Sequence, residues 1–303
     1  MGKLGSAAMK AIPAFLLIAV SALAQTTSEE TFRVDVKLVR LVATVKTAEG
    51  KPIGDLKRED LAVTDNGAPQ QIALFERTTA QPLSVAILID ISGSTAGKMK
   101  EQTSAVGRFV TALFREGNPD DRAALWSFNW VVSQDVAWTK NPRKFADQLK
   151  KLKAEAGTSL YDAIYLGAGD LTRREGRHVM IVVSDGGNTT SAKDFHVALE
   201  AAHNADAVIY PVLTVPITNE AGRNVGGEHA LATLAQTTGG KVFAPGIESI
   251  DQAFAEILRD LRTQYLIGYY PKDVPLTRNR FHTVQIRPKD SALQVIARTG
   301  YYG

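Results

Sequence analysis

The chain has 303 residues, 45% of them apolar and 22% charged, with a formal net charge of +3 and no cysteine. This balance excludes global disorder and a polytopic membrane protein, and the lack of cysteine excludes disulfides, thiolate metal sites, a cysteine nucleophile and a lipidated cysteine. At about 100–200 residues per domain, the length allows two folded units or one large α/β unit with an appendage.

Lys3 and Lys10 precede an apolar stretch over 11–23, and Ala22-Leu23-Ala24 before Gln25 has the small-x-small form of a cleavage site. Residues 1–24 therefore read as a signal peptide. The alternative is a retained anchor, but the run falls short of the roughly 20 residues a spanning helix needs, and Pro13 interrupts it. Cleavage leaves 33 basic against 32 acidic residues, a formal charge of +1, which gives no footprint for nucleic acid or an anionic bilayer. No later segment reads as a transmembrane span, so the mature protein is expected in the periplasm or outside the cell.

Residues 32–80 read as a small antiparallel β unit. Val34, Val36 and Leu38 alternate with polar residues, 41–45 continues the strand, and turn signals at Glu49-Gly50-Lys51-Pro52 and Asp65-Asn66-Gly67 separate further apolar runs at 61–63 and 72–75. From Leu83 strands and helices take turns. The run 85–89 is apolar throughout, as in a strand buried on both faces. Helical period follows over 99–114, strands over 123–128 and 131–137, a helix opened by Pro142 over 142–152, and another helix over 160–171.

A second apolar strand spans 179–183, and Ser191 with Asp194 is expected to cap a helix running to about His203. A strand over 207–213, helices over 228–236 and 250–261 and a short strand at 241–243 complete residues 82–262. Such alternation implies an α/β fold, a doubly wound and mostly parallel sheet with helices on both faces. Residues 264–303 return to β character at 265–269, 281–286 and 293–297. Too small to fold alone, they are expected to pack on the N-terminal strands as a sandwich-like unit.

The chemistry concentrates in three segments. Asp90-Ile91-Ser92-Gly93-Ser94 follows the first apolar strand, at the carboxyl end where open α/β sheets form ligand crevices. A carboxylate and two hydroxyls at alternate positions around Gly93 can point three oxygens at one hard cation. Gly157-Thr158-Ser159 precedes a helix, and Ser184-Asp185-Gly186-Gly187 follows the second apolar strand. Asp90, Ser92, Ser94, Thr158 and Asp185 offer only oxygens and two negative charges, a set that fits Mg²⁺ or Mn²⁺ better than zinc. The plainer reading of the triplet is an Asx-type turn capping the next helix.

At these residues the chain resembles the von Willebrand factor type A family, whose metal-ion-dependent adhesion site uses Asp-x-Ser-x-Ser, a distant Thr and a distant Asp. The resemblance covers 82–262 and includes Gly-Thr-Ser-Leu-Tyr-Asp-Ala-Ile and Val-Val-Ser-Asp-Gly-Gly. The phrases over 60–70 and 265–271 are similar to bacterial exported proteins described only as von Willebrand factor A-related. The resemblance implies the family's Rossmann-like fold, direct metal binding by Ser92, Ser94 and Thr158, and binding through water by Asp185. It also implies a non-enzymatic adhesion or scaffold module whose metal bridges to an Asp or Glu carboxylate on another protein.

Two other readings stay open: a Mg²⁺-dependent phosphoryl-transfer hydrolase and an envelope scaffold with a vestigial metal site. Against the first, such enzymes place an acid two positions after the nucleophile, where this chain has Ser92. Serine hydrolysis lacks the Gly-x-Ser-x-Gly turn, and the five histidines show no zinc-binding spacing. Asp162 reads as a helix N-terminal acid or a support for the metal site. Trp126, Phe128, Trp130 and Trp138 read as core rather than as an aromatic binding face, and Tyr301-Tyr302 as a final docking strand rather than a recognition tail.

Overall fold

A computed structural model describes residues 38–77, 81–214, 224–244, 249–274 and 280–303. The expected signal peptide and the start of the first strand at Val34 and Val36 lie outside the described residues. In chain order come strands β1 (Val39–Thr47), β2 (Leu61–Asp65), β3 (Ala68–Gln70), β4 (Ile72–Arg77) and β5 (Leu83–Asp90), then helix α1 (Met99–Glu116). Next are β6 (Arg122–Phe128), β7 (Val132–Thr139), α2 (Pro142–Leu149), α3 (Leu160–Leu171), β8 (Arg177–Ser184), α4 (Phe195–Asn204), β9 (Val208–Leu213), α5 (Val225–Thr238) and α6 (Ile250–Thr263). The chain closes with β10 (Tyr265–Tyr269), β11 (Phe281–Pro288), β12 (Leu293–Ala297) and β13 (Gly300–Tyr302).

The central sheet runs β7-β6-β5-β8-β9, parallel except for the edge strand β7. Every residue of β5 is buried because both faces are covered. Val85, Ile87 and Ile89 pack toward α1 and α6 with Phe109, Phe254 and Ile257, while Ala86 and Leu88 pack toward α3, α4 and α5 with Ile164 and Leu231. The period of two thus serves two cores at once, which is why the strand carries no polar alternation.

The remaining strands form two antiparallel sheets, β12-β1-β10-β4 and β13-β11-β2-β3. β10 inserts between β1 and β4, and β11 pairs with β2, so N- and C-terminal strands share each sheet. Leu41, Val45, Val63, Ile267, Tyr269 and Val284 fill the core between the sheets. At its centre the fully buried Asp65 carboxylate accepts from the hydroxyls of Tyr269 and Tyr301, both at 2.8 Å, and lies 3.2 Å from His282 Nδ1. The described residues pack as one compact unit.

Three local expectations change. Ser191 does not cap α4: Asp194 accepts from Val197 N, and the Ser191 hydroxyl turns to the N-terminus of α3, accepting from Tyr161 N at 3.1 Å and Asp162 N at 3.3 Å. The stretch 241–243 makes only an isolated bridge, Val212 with Phe243. Of the four aromatics read as core, Phe128 is fully buried and Trp126 and Trp138 are partly buried, but Trp130 is 64% exposed. It sits beyond the end of β6, in the reversal that leads into β7.

Candidate metal centre

β5 delivers Asp90 to the carboxyl edge of the sheet with no exposed surface. Its two oxygens are fixed separately: Oδ1 accepts from Ser92 N at 2.8 Å, and Oδ2 accepts from the Ser184 hydroxyl at 2.6 Å. The loop after it is pinned from both sides, since Ile91 N donates to Phe128 O and Glu155 N donates to Ile91 O, each at 2.9 Å. Thr95 Oγ1 lies 3.1 Å from Asp90 O and 2.9 Å from Ser92 O, closing the turn beneath. Ser92 and Ser94 hydroxyl oxygens lie 3.1 Å apart, the first buried and the second exposed. Ser92 stands at the N-cap of the following short helical turn but makes no capping hydrogen bond with its side chain. The Asp90 Oδ1 contact with Ser92 N is the expected Asx-type turn, while the Ser92 hydroxyl turns to Ser94 instead of capping the helix.

Thr158 is buried just ahead of α3. Its amide donates to Thr189 Oγ1 at 3.0 Å, and its carbonyl accepts from Thr189 N and Thr190 N at 2.8 and 3.1 Å. Gly157 adopts φ +81°, and a Cβ there would lie 2.6 Å from Trp130 Cβ, so only glycine lets this loop close on the β6–β7 reversal. Asp185 is half-buried and its Oδ1 accepts from Gly187 N at 2.9 Å. A Cβ on Gly187 would lie 3.0 Å from Asp185 Oδ1 and 3.7 Å from Thr158 Oγ1. Glycine thus leaves a cradle between these two oxygens.

The three segments are physically joined. Ser184 ties Asp90 to the strand carrying Asp185, Ser92 bridges to Glu155 in the loop leading to Thr158, and Gly187 sits between Thr158 and Asp185. The Asp90 carboxyl is pushed up to about 6, first by burial and additionally by the Asp185 charge, with the Ser184 and Ser92 hydrogen bonds pulling down. A buried carboxylate beside a second one is a place where a cation is favoured. The donors are hydroxyls as much as carboxylates; among the described residues no group of three or more His, Asp or Glu side chains forms. That set suits a hard, oxygen-seeking ion.

Several supporting residues escaped the sequence reading. Ser184 looked like the mere end of a strand, yet it orients Asp90. Residues 188–191, Asn-Thr-Thr-Ser, hold Thr158, Ser159 and the start of α3. Asp162 turns to this same loop, accepting from Ala192 N at 2.9 Å and Lys193 N at 2.8 Å. A run of four side chains that all hydrogen-bond locally, placed after a strand, was the available signal.

Residues 85–188 match the family model described as von Willebrand factor type A domain. The matched residues include all five oxygen donors, Asp90, Ser92, Ser94, Thr158 and Asp185. Similar solved structures include an aerotolerance-related membrane protein from Bacteroides fragilis, 18% identical, covering 59% of this chain and 98% of that one with a TM-score of 0.47. Another is the von Willebrand factor domain of the type V pili tip protein Mfa5 from Porphyromonas gingivalis, 14% identical, covering 59% and 95% with a TM-score of 0.47. A third is the pilus adhesin SpaC from Lactobacillus rhamnosus GG in an open conformation, 10% identical, covering 86% of this chain and 47% of that one with a TM-score of 0.49. Comparison with curated proteins returns no match.

Proposed function

We propose that this chain is a divalent-cation-dependent protein-binding module of an exported bacterial protein, acting in adhesion or as a scaffold rather than as an enzyme. The observation that carries the reading is Asp90: a wholly buried carboxylate whose Oδ1 is held by Ser92 N and Oδ2 by the Ser184 hydroxyl, close enough to Asp185 to feel its charge. Asp90, Ser92, Ser94, Thr158 and Asp185 would hold Mg²⁺ or Mn²⁺, which when bound supplies a hard electrophilic position for a partner's Asp or Glu carboxylate.

The residues of the chain prepare that position. Ser92 N and Ser184 fix the orientation of Asp90, the Thr189 and Thr190 amides fix Thr158, and Gly187 keeps the space between Thr158 and Asp185 clear. Neutral hydroxyls leave more of the cation's charge for the incoming anion than further carboxylates would. Trp130 and Val131, exposed by 64% and 45% beside Gly157, stand at the rim where a partner would rest.

Isothermal titration with Mg²⁺ and Mn²⁺ tests the reading: wild type binds, Asp90→Ala does not, and equal binding by both would overturn the assignment. The exported context is supported by the sequence of residues 1–24, and among the described residues no helix is long and apolar enough to cross a membrane. Terminal sequencing of the protein recovered from outside the cytoplasm should begin at Gln25; an intact Met1 would contradict export by cleavage.

A further inference from the structure

At the opposite end of β8 from Ser184 lies a cavity of about 360 Å³ where the α/β layers meet β1 and β10. Arg40, Arg177, Arg298, His203, Thr238 and Gln264 contribute to its wall. Four arginines line it in all, against Glu175 and Asp206, and Asp206 is already engaged by Arg298 Nη1. Eight residues of extended strand separate this end from the metal centre, about 20 Å.

Arg177 is the unusual group. It is only 7% exposed, and Nη1 donates to Leu261 O at 2.6 Å and Gln264 Oε1 at 3.0 Å. Nε is buried without a hydrogen-bond partner, and among the described residues no carboxylate comes within ion-pairing distance of the guanidinium. Elsewhere in this chain Arg108 grips Asp251 through Nε and Nη2, each at 2.8 Å. On Arg177 that same edge has no such carboxylate. Arg298 repeats the pattern: Nη1 meets Asp206, Nη2 donates to Arg40 O at 2.6 Å, and its buried Nε has no partner.

Desolvating a guanidinium without a direct ion-pair partner is expensive, and the Asp121 charge offsets only part of that cost at Arg177. Burial pulls Arg177 down to about 10, in keeping with an underpaired cation. A planar fork of this kind matches carboxylate and phosphate oxygens two at a time.

We propose that this cavity is an oxyanion site, in which the guanidinium groups of Arg177 and Arg298, with Arg40 and Arg174 beside them, bind the carboxylate or phosphate group of a small molecule. The volume lies at the small end of ligand pockets, so the ligand is a compact metabolite-sized anion rather than a polymer. The site is separate from the metal centre and does not depend on it.

The test uses the full chain in EDTA, titrated with inorganic phosphate and separately with malonate, each against sodium chloride of matched ionic strength, followed by calorimetry and by the arginine Nε–H resonances in NMR. Saturable binding of either probe with shifts of the Arg177 and Arg298 Nε–H signals supports the site; phosphate alone assigns phosphoryl ligands, malonate alone carboxylates, and both a general oxyanion site. Arg298→Gln should weaken binding roughly tenfold or more, and Arg177→Lys, which keeps the charge but loses the fork, should do likewise. Arg40→Gln serves as the milder variant if the Arg177 substitution does not fold. Asp90→Ala should bind the anion as wild type does. No saturable binding of either probe beyond the chloride control, undiminished binding in Arg298→Gln, or loss of binding in Asp90→Ala would each overturn the proposal.

Discussion

Asp90→Asn should make the metal-free protein more stable while abolishing its response to divalent cations. The carboxyl is pushed from 3.8 to about 6, chiefly by burial. Converted at ~1.4 kcal/mol per pH unit, that is about 3 kcal/mol of destabilisation when the group is ionised. The sign follows from linkage: the folded state holds the proton more tightly, so the penalty is complete above about pH 6 and fades as the pH falls toward 4. Asparagine removes the charge and keeps an oxygen to accept from Ser92 N, but its amide donors face Ser184 Oγ, which now donates to Asp90 and accepts from Gly186 N at 3.0 Å. Disturbing that bond offsets about 1 kcal/mol, which leaves a net gain of about 2 kcal/mol at pH 7.5. Denaturant unfolding in EDTA at pH 7.5 and at pH 4.5 measures it. The gain should shrink strongly at the lower pH, and millimolar Mg²⁺ should stabilise wild type alone. An asparagine variant that is less stable at pH 7.5, or equally favoured at both pH values, would refute the reasoning.

Gly187→Ala should lower Mg²⁺ affinity about tenfold or more by titration, since its Cβ would intrude 3.0 Å from Asp185 Oδ1, with no loss of thermal stability. The His203 ring is held down to about 4 by burial and then by Arg298. The His203 contribution to stability should therefore drop as the pH falls from about 6.5 toward 4, by up to about 3 kcal/mol and opposite in sign to that of Asp90, and His203→Gln should remove it in denaturant titrations against wild type. Asp65→Ala leaves two buried tyrosine hydroxyls and His282 without their acceptor and should cost about 3 kcal/mol or more in the same assay. Trp130→Ala, at 64% exposure, should change stability by less than about 0.5 kcal/mol.

The parts of the fold legible in sequence are those where one physical requirement dominates. β5 and β8 read as strands because burial on two faces leaves no place for polar residues, and the Asp90–Ser94 and Ser184–Gly187 loops follow directly from where those strands stop. The union of the outer strands was legible from their unmet edges, and β10 between β1 and β4 supplies the answer. What stayed hidden depended on contacts distant in the chain. Ser191 has the residue type and spacing of a cap for α4, but α3 lies close enough to take its hydroxyl. Trp130 has a strand-core composition around it, yet the reversal closed by Gly157 turns it outward. Arg177 begins an apolar strand like any solvated end residue, and only the packing of α6 and β10 over it makes it a buried cation.

Asp90, Ser92, Ser94, Thr158 and Asp185 are proposed to hold one divalent ion between them. Crystals of the protein soaked in Mn²⁺ and measured for anomalous scattering test it directly. A single strong peak is expected about 2.0–2.2 Å from the Ser92 and Ser94 hydroxyls, with Thr158 in the same coordination shell and Asp185 linked through water. Well-diffracting soaked crystals with no peak at that crevice, or with manganese bound elsewhere, would contradict it.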